Sequence, residues 1–145
     1  MRPFSLLAFS LLLTASVSAQ VRSVYSSPSQ QPEIEQNLKD VLFAFDRYDL
    51  TADDQQLLKA GADWLKANPK VYVIIAGDAD DRGSIVYNLA LSQRRASVTR
   101  DALIERGVPA EQIVFATGWG KLYPICAQAE EACWSRNRRA HFSRW

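Results

Sequence analysis

The sequence predicts an α/β two-layer sandwich in which a mixed sheet carries both long helices on one face. Three short apolar runs, at 41–46, 71–76 and 113–118, are typical of buried strands. Each of the first two runs is followed by a segment with helical periodicity. A fourth strand is predicted at 138–145, after a long loop at 119–137. The order strand, helix, strand, helix, strand, loop, strand favours helices packed against one sheet.

The ends of both helices are marked in the sequence. The letters TADD at 51–54 resemble a capping box at the start of the first helix. Asn68 and Pro69 end that helix, because the residue before a proline avoids the helical region. The second helix is predicted over 85–106, and Gly107 suits its C-terminal cap.

The chain is predicted to hold one domain behind an export signal. Residues 1–19 are predicted as a secretory signal peptide, with Arg2 as the positive start and a small-residue cleavage site ending at Ala19. Their apolar run is shorter than the ~20 residues of a membrane-spanning helix. No cysteine stands near the predicted cut, so a lipid-anchored start is not expected. The sequence at 20–32 is rich in serine, glutamine and proline and is predicted as a flexible linker, which leaves 33–145 as the domain.

The charge balance argues against bulk electrostatic binding. Cleavage of the signal peptide would remove Arg2 and no acid, so 17 basic residues become 16, against 16 acids. A net charge of zero does not favour nucleic acid or an anionic membrane surface as a partner. Any function that uses charge must therefore come from local arrangement.

The two cysteines and the single histidine limit the chemistry. Cys126 and Cys133 lie close together, and export would place them in an oxidising compartment, so a disulfide closing a small loop is predicted. Two free thiols are the alternative. Adding the distant His141 gives too few ligands for a zinc site, and no metal or cofactor is predicted. No serine, histidine and acid set is evident, and the chain is not predicted to be an enzyme.

A candidate site lies in GDADDRGS, residues 77–84, where a strand becomes a helix. It holds three aspartates, Asp78, Asp80 and Asp81. On the helix that follows, Arg95 falls about 40° from Leu91, inside the apolar arc. A charged group on a side that faces the core must be paired or must face a cleft.

Two interpretations of this arrangement remain open. In the first, Asp80 and Arg95 pair with each other and are purely structural. In the second, they flank a small pocket at the helix N-terminus, where backbone N–H groups favour an anionic ligand group. A carboxylate and a guanidinium in one cleft suit a zwitterion such as an amino acid. The interaction of an acid with the helix dipole is a sufficient explanation for Asp81.

The same segment carries a family resemblance. The stretch GDADDRGSIVYNLALSQRRASVTRDALIERGV resembles the signature of the OmpA-like C-terminal domain family. VLFAFDRYDLTADDQQLL is similar to that family's opening strand and turn, and TGWGKLYP and WSRNRRAHF to its closing pattern. The resemblance covers about residues 38 to 143.

This resemblance implies an OmpA-like fold and non-covalent binding of peptidoglycan through the diaminopimelate of the stem peptide. The protein would tether or sense the cell wall in the periplasm. It would be held at the outer membrane through a partner, with the Tol–Pal machinery or other envelope proteins as candidate partners. The alternative is an envelope protein–protein interaction module with a degraded pocket.

The resemblance also implies roles for individual residues. Asp80 corresponds to the acid that takes the ligand ammonium, and Arg95 to the arginine that grips a carboxylate. The other implied peptidoglycan-binding residues are Asp46, Gly83, Ser84, Tyr87, Asn88 and Arg138. Two positions depart from the family pattern, with Asp78 in place of a histidine and Ala79 in place of a threonine. The additional carboxylate of Asp78 is expected to repel the ligand's carboxylates.

Overall fold

The computed structural model describes residues 31–145, which form four helices and one four-stranded sheet. The helices are α1 Gln31–Asn37, α2 Ala52–Ala67, α3 Ile85–Glu105 and α4 Glu131–Asn137, and a 3₁₀ turn spans Ala110–Gln112. The strands are β1 Val41–Leu42, β2 Val73–Asp78, β3 Ile113–Gly120 and β4 Arg139–Arg144. The predicted signal peptide and most of the predicted linker lie outside the described residues. Helix α1 begins inside the segment predicted as linker.

The sheet is mixed, with strand order β1-β4-β2-β3. Strand β2 pairs in parallel with β3 and antiparallel with β4, and β4 pairs antiparallel with β1. Helix α3 packs so closely on β2 and β3 that a Cβ added at Gly77 or Gly118 would collide with the backbone of Ser92 or Gln93. Helix α2 packs beside α3. The predicted two-layer α/β sandwich is thereby confirmed.

The hydrophobic core fills the space between the sheet and the helices. Leu58 and Leu65 of α2 and Leu103 of α3 are at most 1% exposed, as are Val73 and Ile75 of β2. Each such side chain contributes about 1.5–3 kcal/mol when it leaves water. This packing holds the C-terminal end of β2 rigidly against the start of α3, where the candidate site lies.

Side-chain caps fix where both long helices begin. Thr51 accepts a hydrogen bond from the backbone N–H of Asp54 at 3.2 Å, and the Asp54 carboxylate accepts one from the N–H of Thr51 at 2.8 Å. The predicted capping box is confirmed. Ser84 caps α3 by accepting from the N–H of Tyr87 at 3.1 Å. Gly107, after α3, has a φ of 87°, a left-handed conformation that glycine adopts without a steric penalty.

Two predicted segments differ from the structure. The apolar run at 41–46 pairs with β4 only at Val41 and Leu42. The run then leaves the sheet, because the carbonyl groups of Phe43 and Ala44 accept hydrogen bonds from the Arg138 and Arg95 side chains.

The second difference is in the predicted loop at 119–137. Strand β3 continues through Gly120, and helix α4 occupies the end of the segment. The helix follows Glu130, whose side chain makes no capping hydrogen bond, so the sequence carries no start signal there. Among the helices described, none has the length and apolar character required to cross a membrane.

Candidate functional site

A cavity of about 170 Å³ lies at the C-terminal end of β2. Three segments surround it: the chain after β1, the loop between β2 and α3, and the first turns of α3. Its lining combines apolar and ionised groups: Phe45, Asp46, Ala79, Asp80, Arg82, Gly83, Tyr87, Asn88, Leu91, Arg95 and Arg138. Seven of the eight residues predicted to bind the ligand therefore line one cavity. The exception is Ser84, which caps α3 instead.

Arg95 forms the floor of this cavity and is 0% exposed. Its guanidinium donates to the carbonyl oxygens of Arg47 at 2.9 Å, Asp78 at 2.8 Å and Ala44 at 3.3 Å. It forms no ion pair with a carboxylate within residues 31–145. Burial, aided by the nearby positive charge of Arg138, lowers the pKa of Arg95 to about 10. The charge of Arg95 is thus held by carbonyl dipoles rather than by an acid.

Asp80 is fully engaged by two other arginines. Its Oδ2 lies 2.5 Å from Arg82 Nη2 and 3.2 Å from Arg138 Nη1. Its Oδ1 accepts from the backbone N–H of Arg82 at 3.1 Å and from Arg82 Nε at 3.3 Å. Burial opposes ionisation of Asp80, but the hydrogen bonds from Arg82 and Arg138 outweigh it and hold the pKa of this carboxyl below its ordinary value.

Arg82 is a cavity residue that the sequence reasoning did not single out. Its guanidinium carbon lies 4.0 Å from the ring centre of Phe45 and 4.1 Å from that of Trp134, so the group is sandwiched between two aromatic rings. Cation–π contacts of this kind contribute about 0.5–1 kcal/mol at exposed sites and more when desolvated. The motif letters DDRGS contain Arg82, but nothing in them indicates that Trp134, over fifty positions later, contacts it.

Arg138 connects the cavity to helix α4. Its Nε donates to the carbonyl of Phe43 at 2.8 Å, and its Nη2 lies 2.5 Å from Glu131 Oε1. The hydrogen bond from Arg138 holds the pKa of Glu131 below its ordinary value. Glu131 was missed by sequence reasoning because it falls in the segment predicted as loop.

Asp46 lies at the cavity mouth in a left-handed backbone conformation, with φ of 58°. Only a few per cent of non-glycine residues adopt positive φ, and aspartate is among those that tolerate it best. The hydroxyl of Tyr87 donates to the Asp46 carboxylate, and this bond raises the pKa of Tyr87. Asp46 thus presents an exposed carboxylate to the cavity, next in the chain to Arg47, whose carbonyl group anchors Arg95.

Two uncharged residues, Asn88 and Gly83, shape the loop between β2 and α3. Asn88 is 2% exposed, and its amide donates to the carbonyl groups of Asp80 at 3.2 Å and Arg82 at 2.9 Å. Gly83 has a φ of 92°, which a side chain would strain. Both residues fix the path of the backbone that carries Asp80.

Asp78 does not face the cavity. Its neighbour Gly77 faces α3, so Asp78 points to the other face of the sheet, since successive strand residues alternate. There its Oδ2 lies 3.2 Å from Arg139 Nε and 3.3 Å from His141 Nδ1. The carboxylate of Asp78 therefore lies outside the cavity, which does not support the expectation that it repels a ligand there. Ala79 does line the cavity, where it adds an apolar wall.

The arrangement suits binding rather than chemistry. The cavity offers guanidinium groups to an anionic group and carboxylates to a cationic one, within a partly apolar enclosure. Among the residues that the structure describes, no cluster of histidine, cysteine and acidic side chains could hold a metal ion. Cys126 and Cys133 form a disulfide, with Cα atoms 5.3 Å apart, as the sequence predicted.

A small α/β sandwich with an ionic cavity at the end of its central strand defines a class of ligand-binding domains. The particular family follows from the sequence match, since residues 42–138 match the OmpA family and the chain belongs to it. The chain is 40% identical over 116 residues to the peptidoglycan-associated lipoprotein of Agrobacterium fabrum, covering 79% of this chain and 65% of that relative. The chain thus spans slightly less than two thirds of that relative's length.

Solved structures agree with this family membership. The peptidoglycan-associated lipoprotein from Burkholderia pseudomallei is 40% identical, with a TM-score of 0.70, over 73% of this chain and 89% of that one. The cell wall anchor of the T6SS from Pseudomonas aeruginosa is 30% identical, with a TM-score of 0.58, over 70% of this chain and 72% of that one. The prediction that the chain is not an enzyme agrees with this membership, since the relatives named are peptidoglycan-associated lipoproteins and a cell wall anchor.

Proposed function

We propose that this protein binds peptidoglycan non-covalently by taking the diaminopimelate of the stem peptide into the cavity beside Arg95. It thereby tethers or senses the cell wall in the periplasm. The observation that carries the proposal is the state of Arg95, a fully buried guanidinium with no ion-pair partner among the described residues and a lowered pKa. A ligand carboxylate would supply the missing negative charge, and charge-assisted hydrogen bonds of this kind contribute about 1.5–3 kcal/mol.

The side chain of diaminopimelate ends in a zwitterion, and the cavity has a group for each charge. Its carboxylate suits the guanidinium of Arg95. Its ammonium suits Asp80 and Asp46. At Asp80 the ammonium would replace one of the N–H donors of Arg82 or Arg138, because a carboxylate has about four acceptor positions and all are occupied. At Asp46 it would bind beside the Tyr87 hydroxyl without displacing a cation.

The relatives support the same proposal. Those that match most of this chain are peptidoglycan-associated lipoproteins, and one structural neighbour is a cell wall anchor. We extend this association with the wall to the present protein because the cavity-lining residues lie within the matched segment 42–138. Contact with the outer membrane through a partner, within the Tol–Pal machinery or another envelope assembly, belongs to the same proposal.

Matched muropeptides test the ligand directly. The exported protein is titrated with a muropeptide that contains diaminopimelate and with one that carries lysine at the same position, which keeps the ammonium but lacks the carboxylate. We expect the diaminopimelate form to bind at least about tenfold more tightly, since 1.4 kcal/mol is a factor of ten. Equal affinity for the two muropeptides would contradict the assignment of a carboxylate to Arg95.

One observation favours the second candidate function, an envelope protein–protein interaction module. Large apolar side chains are exposed at the end of β3 and on the segment that follows it, next to the cavity loop: Trp119, Leu122, Tyr123 and Ile125, with exposures of 40%, 51%, 65% and 47%. Lys121 of that segment donates to the carbonyl groups of Asp81 and Gly83, which joins it to the cavity loop. Retention on purified sacculi separates the two candidates, because only the peptidoglycan-binding function predicts retention.

A further inference from the structure

Helix α4 contacts two of the arginines that line the cavity, Arg82 and Arg138, although it is only seven residues long. Its Trp134 covers one side of the Arg82 guanidinium at 4.1 Å, and Phe45 covers the other side at 4.0 Å. Arg82 in turn bonds to Asp80 at 2.5 Å. The orientation of an acid at the cavity floor therefore depends on a ring supplied by α4.

A second contact chain runs from the same helix to the same acid. Glu131 lies 2.5 Å from Arg138, and Arg138 lies 3.2 Å from Asp80. Arg138 is buried, whereas the Glu131 side chain is 63% exposed. Glu131 does not line the cavity, so it acts on the site through Arg138 and through Arg82, whose Nη2 lies 3.8 Å from Glu131 Oε2.

The position of α4 is fixed by a bridge and by one amide. An isolated helix of this length is not stable in water, because the hydrogen bonds of two turns do not recover the free-energy cost of nucleation. The disulfide joins buried Cys133 of α4 to Cys126 in the preceding loop. Asn137 closes the other end, because its side chain accepts from the N–H groups of Ile125 at 3.0 Å and Cys126 at 3.2 Å and donates to the Cys126 carbonyl at 2.8 Å.

We propose that the disulfide-closed helix α4 is a positioning element of the ligand site, in which Trp134 and Glu131 hold Arg82 and Arg138 against Asp80. Affinity for the stem peptide then depends on the Cys126–Cys133 bridge, so attachment to the wall weakens under reducing conditions. This inference rests on the proposed function, because it describes how that same cavity is held. Trp134 and Glu131 are positioning residues, since they touch the arginines that line the cavity rather than the cavity itself.

The bridge is tested with the exported chain in three forms. These are the oxidised protein, the protein reduced with dithiothreitol, and the double variant Cys126→Ser/Cys133→Ala, which places alanine at the buried position. Each form is titrated with the diaminopimelate muropeptide after circular dichroism has shown it to be folded. We expect the dissociation constant to rise about fivefold or more in both bridge-free forms.

The ring is tested by three substitutions of tryptophan. Trp134→Phe keeps an aromatic face over Arg82 and should bind within about twofold of the unmodified protein. Trp134→Leu keeps bulk without the aromatic face and should bind about threefold or more weakly. Trp145→Leu is the matched control, because Trp145 is 52% exposed and packs on Phe115 rather than on a cavity residue. If Trp134 were merely structural, Trp134→Phe and Trp134→Leu would both lower the melting temperature. The two variants would then bind the muropeptide with equal affinity.

Different results would overturn the proposed function and the role of α4. If the oxidised protein binds no better than its Arg95→Lys variant, the proposed function is wrong. If the oxidised protein binds and depends on Arg95, but the folded bridge-free forms bind equally well, only the role of α4 is overturned.

Discussion

Asp80 and Arg95 line the same cavity without forming an ion pair with each other. The Asp80 carboxylate is held by Arg82 and Arg138, while the Arg95 guanidinium donates to three backbone carbonyl groups. The interpretation in which the two side chains serve only to neutralise each other is therefore wrong. Different groups hold the side chains of Asp80 and Arg95, so substitutions of the two residues should differ in their effects on stability and on ligand binding.

Substitution of Arg95 should remove ligand binding and also weaken the fold. In Arg95→Lys the positive charge remains, but a single ammonium cannot replace the planar fork that contacts three carbonyl groups. We expect muropeptide affinity to fall at least about tenfold. We also expect the free energy of unfolding to fall by about 1–3 kcal/mol, since buried carbonyl groups lose their donors. Titration calorimetry and urea unfolding measure the two effects.

The control for Arg95 is Arg94→Lys on the same helix. Arg94 does not line the cavity and stacks on Tyr48 at 5.4 Å. Its substitution should change affinity by less than about twofold. Full retention of a folded Arg95→Lys variant on sacculi would show that the buried guanidinium serves the fold alone.

Asp80→Asn should destabilise the protein in a manner that depends on pH. The pKa of Asp80 is lowered in the folded state, so its stabilising contribution is complete above the unfolded pKa of about 3.9 and is lost as the pH falls through the lower folded value. We expect a difference in unfolding free energy of about 3 kcal/mol at pH 7, because Arg82 and Arg138 lose a buried partner. Urea unfolding of both proteins between pH 7 and pH 3 should show this difference shrinking in the acid range.

Asp81→Asn is the matched control for that experiment. Asp81 is exposed, its backbone carbonyl accepts from Lys121, and its side chain makes no hydrogen bond within residues 31–145. Its substitution should leave both stability and muropeptide affinity nearly unchanged. A difference for Asp80→Asn that stays constant down to pH 3 would contradict the lowered pKa as its origin.

Asp78→Asn should leave ligand affinity unchanged at both low and high salt. Its carboxylate lies on the sheet face away from α3, where Arg139 and His141 contact it. We expect affinity within about twofold of the unmodified protein and a loss of about 1–3 kcal/mol in unfolding free energy, since a buried charged hydrogen bond is weakened. Tighter binding that appears only at low salt would show instead that the Asp78 charge reaches the ligand.

Local signals predicted the fold and part of the site for a common physical reason. The capping box at Thr51 and the helical arc that buries Arg95 depend on residues a few positions apart, and both are present in the structure. The early end of β1 depends on arginines 51 and 95 positions away that take its carbonyl groups, which no local pattern shows. The stacking of Trp134 on Arg82 likewise requires the tertiary structure.

Ser84 and Asp78 show that a position within a motif does not determine where the side chain lies. Both lie inside the motif that carries the family resemblance, yet Ser84 is used as the helix cap and Asp78 faces the opposite side of the sheet. The alternation of a strand could have indicated the direction of Asp78. Which face α3 covers was not known from the sequence, and that face decides which side holds the cavity.

Two substitutions of Asp46 separate the effect of its charge on ligand binding from the effect of its backbone conformation on stability. It has a φ of 58°, and asparagine tolerates this region about as well as aspartate, whereas alanine does not. Asp46→Asn therefore keeps the backbone and an acceptor for the Tyr87 hydroxyl but removes the negative charge. We expect it to weaken binding of the diaminopimelate muropeptide about tenfold with little change in melting temperature, because a charged partner for the ammonium is lost.

Asp46→Ala should weaken binding as much and should also lower stability by about 1 kcal/mol or more through backbone strain. Titration and thermal unfolding of the two variants check this, and binding unaffected by Asp46→Asn would assign the ammonium to Asp80 alone.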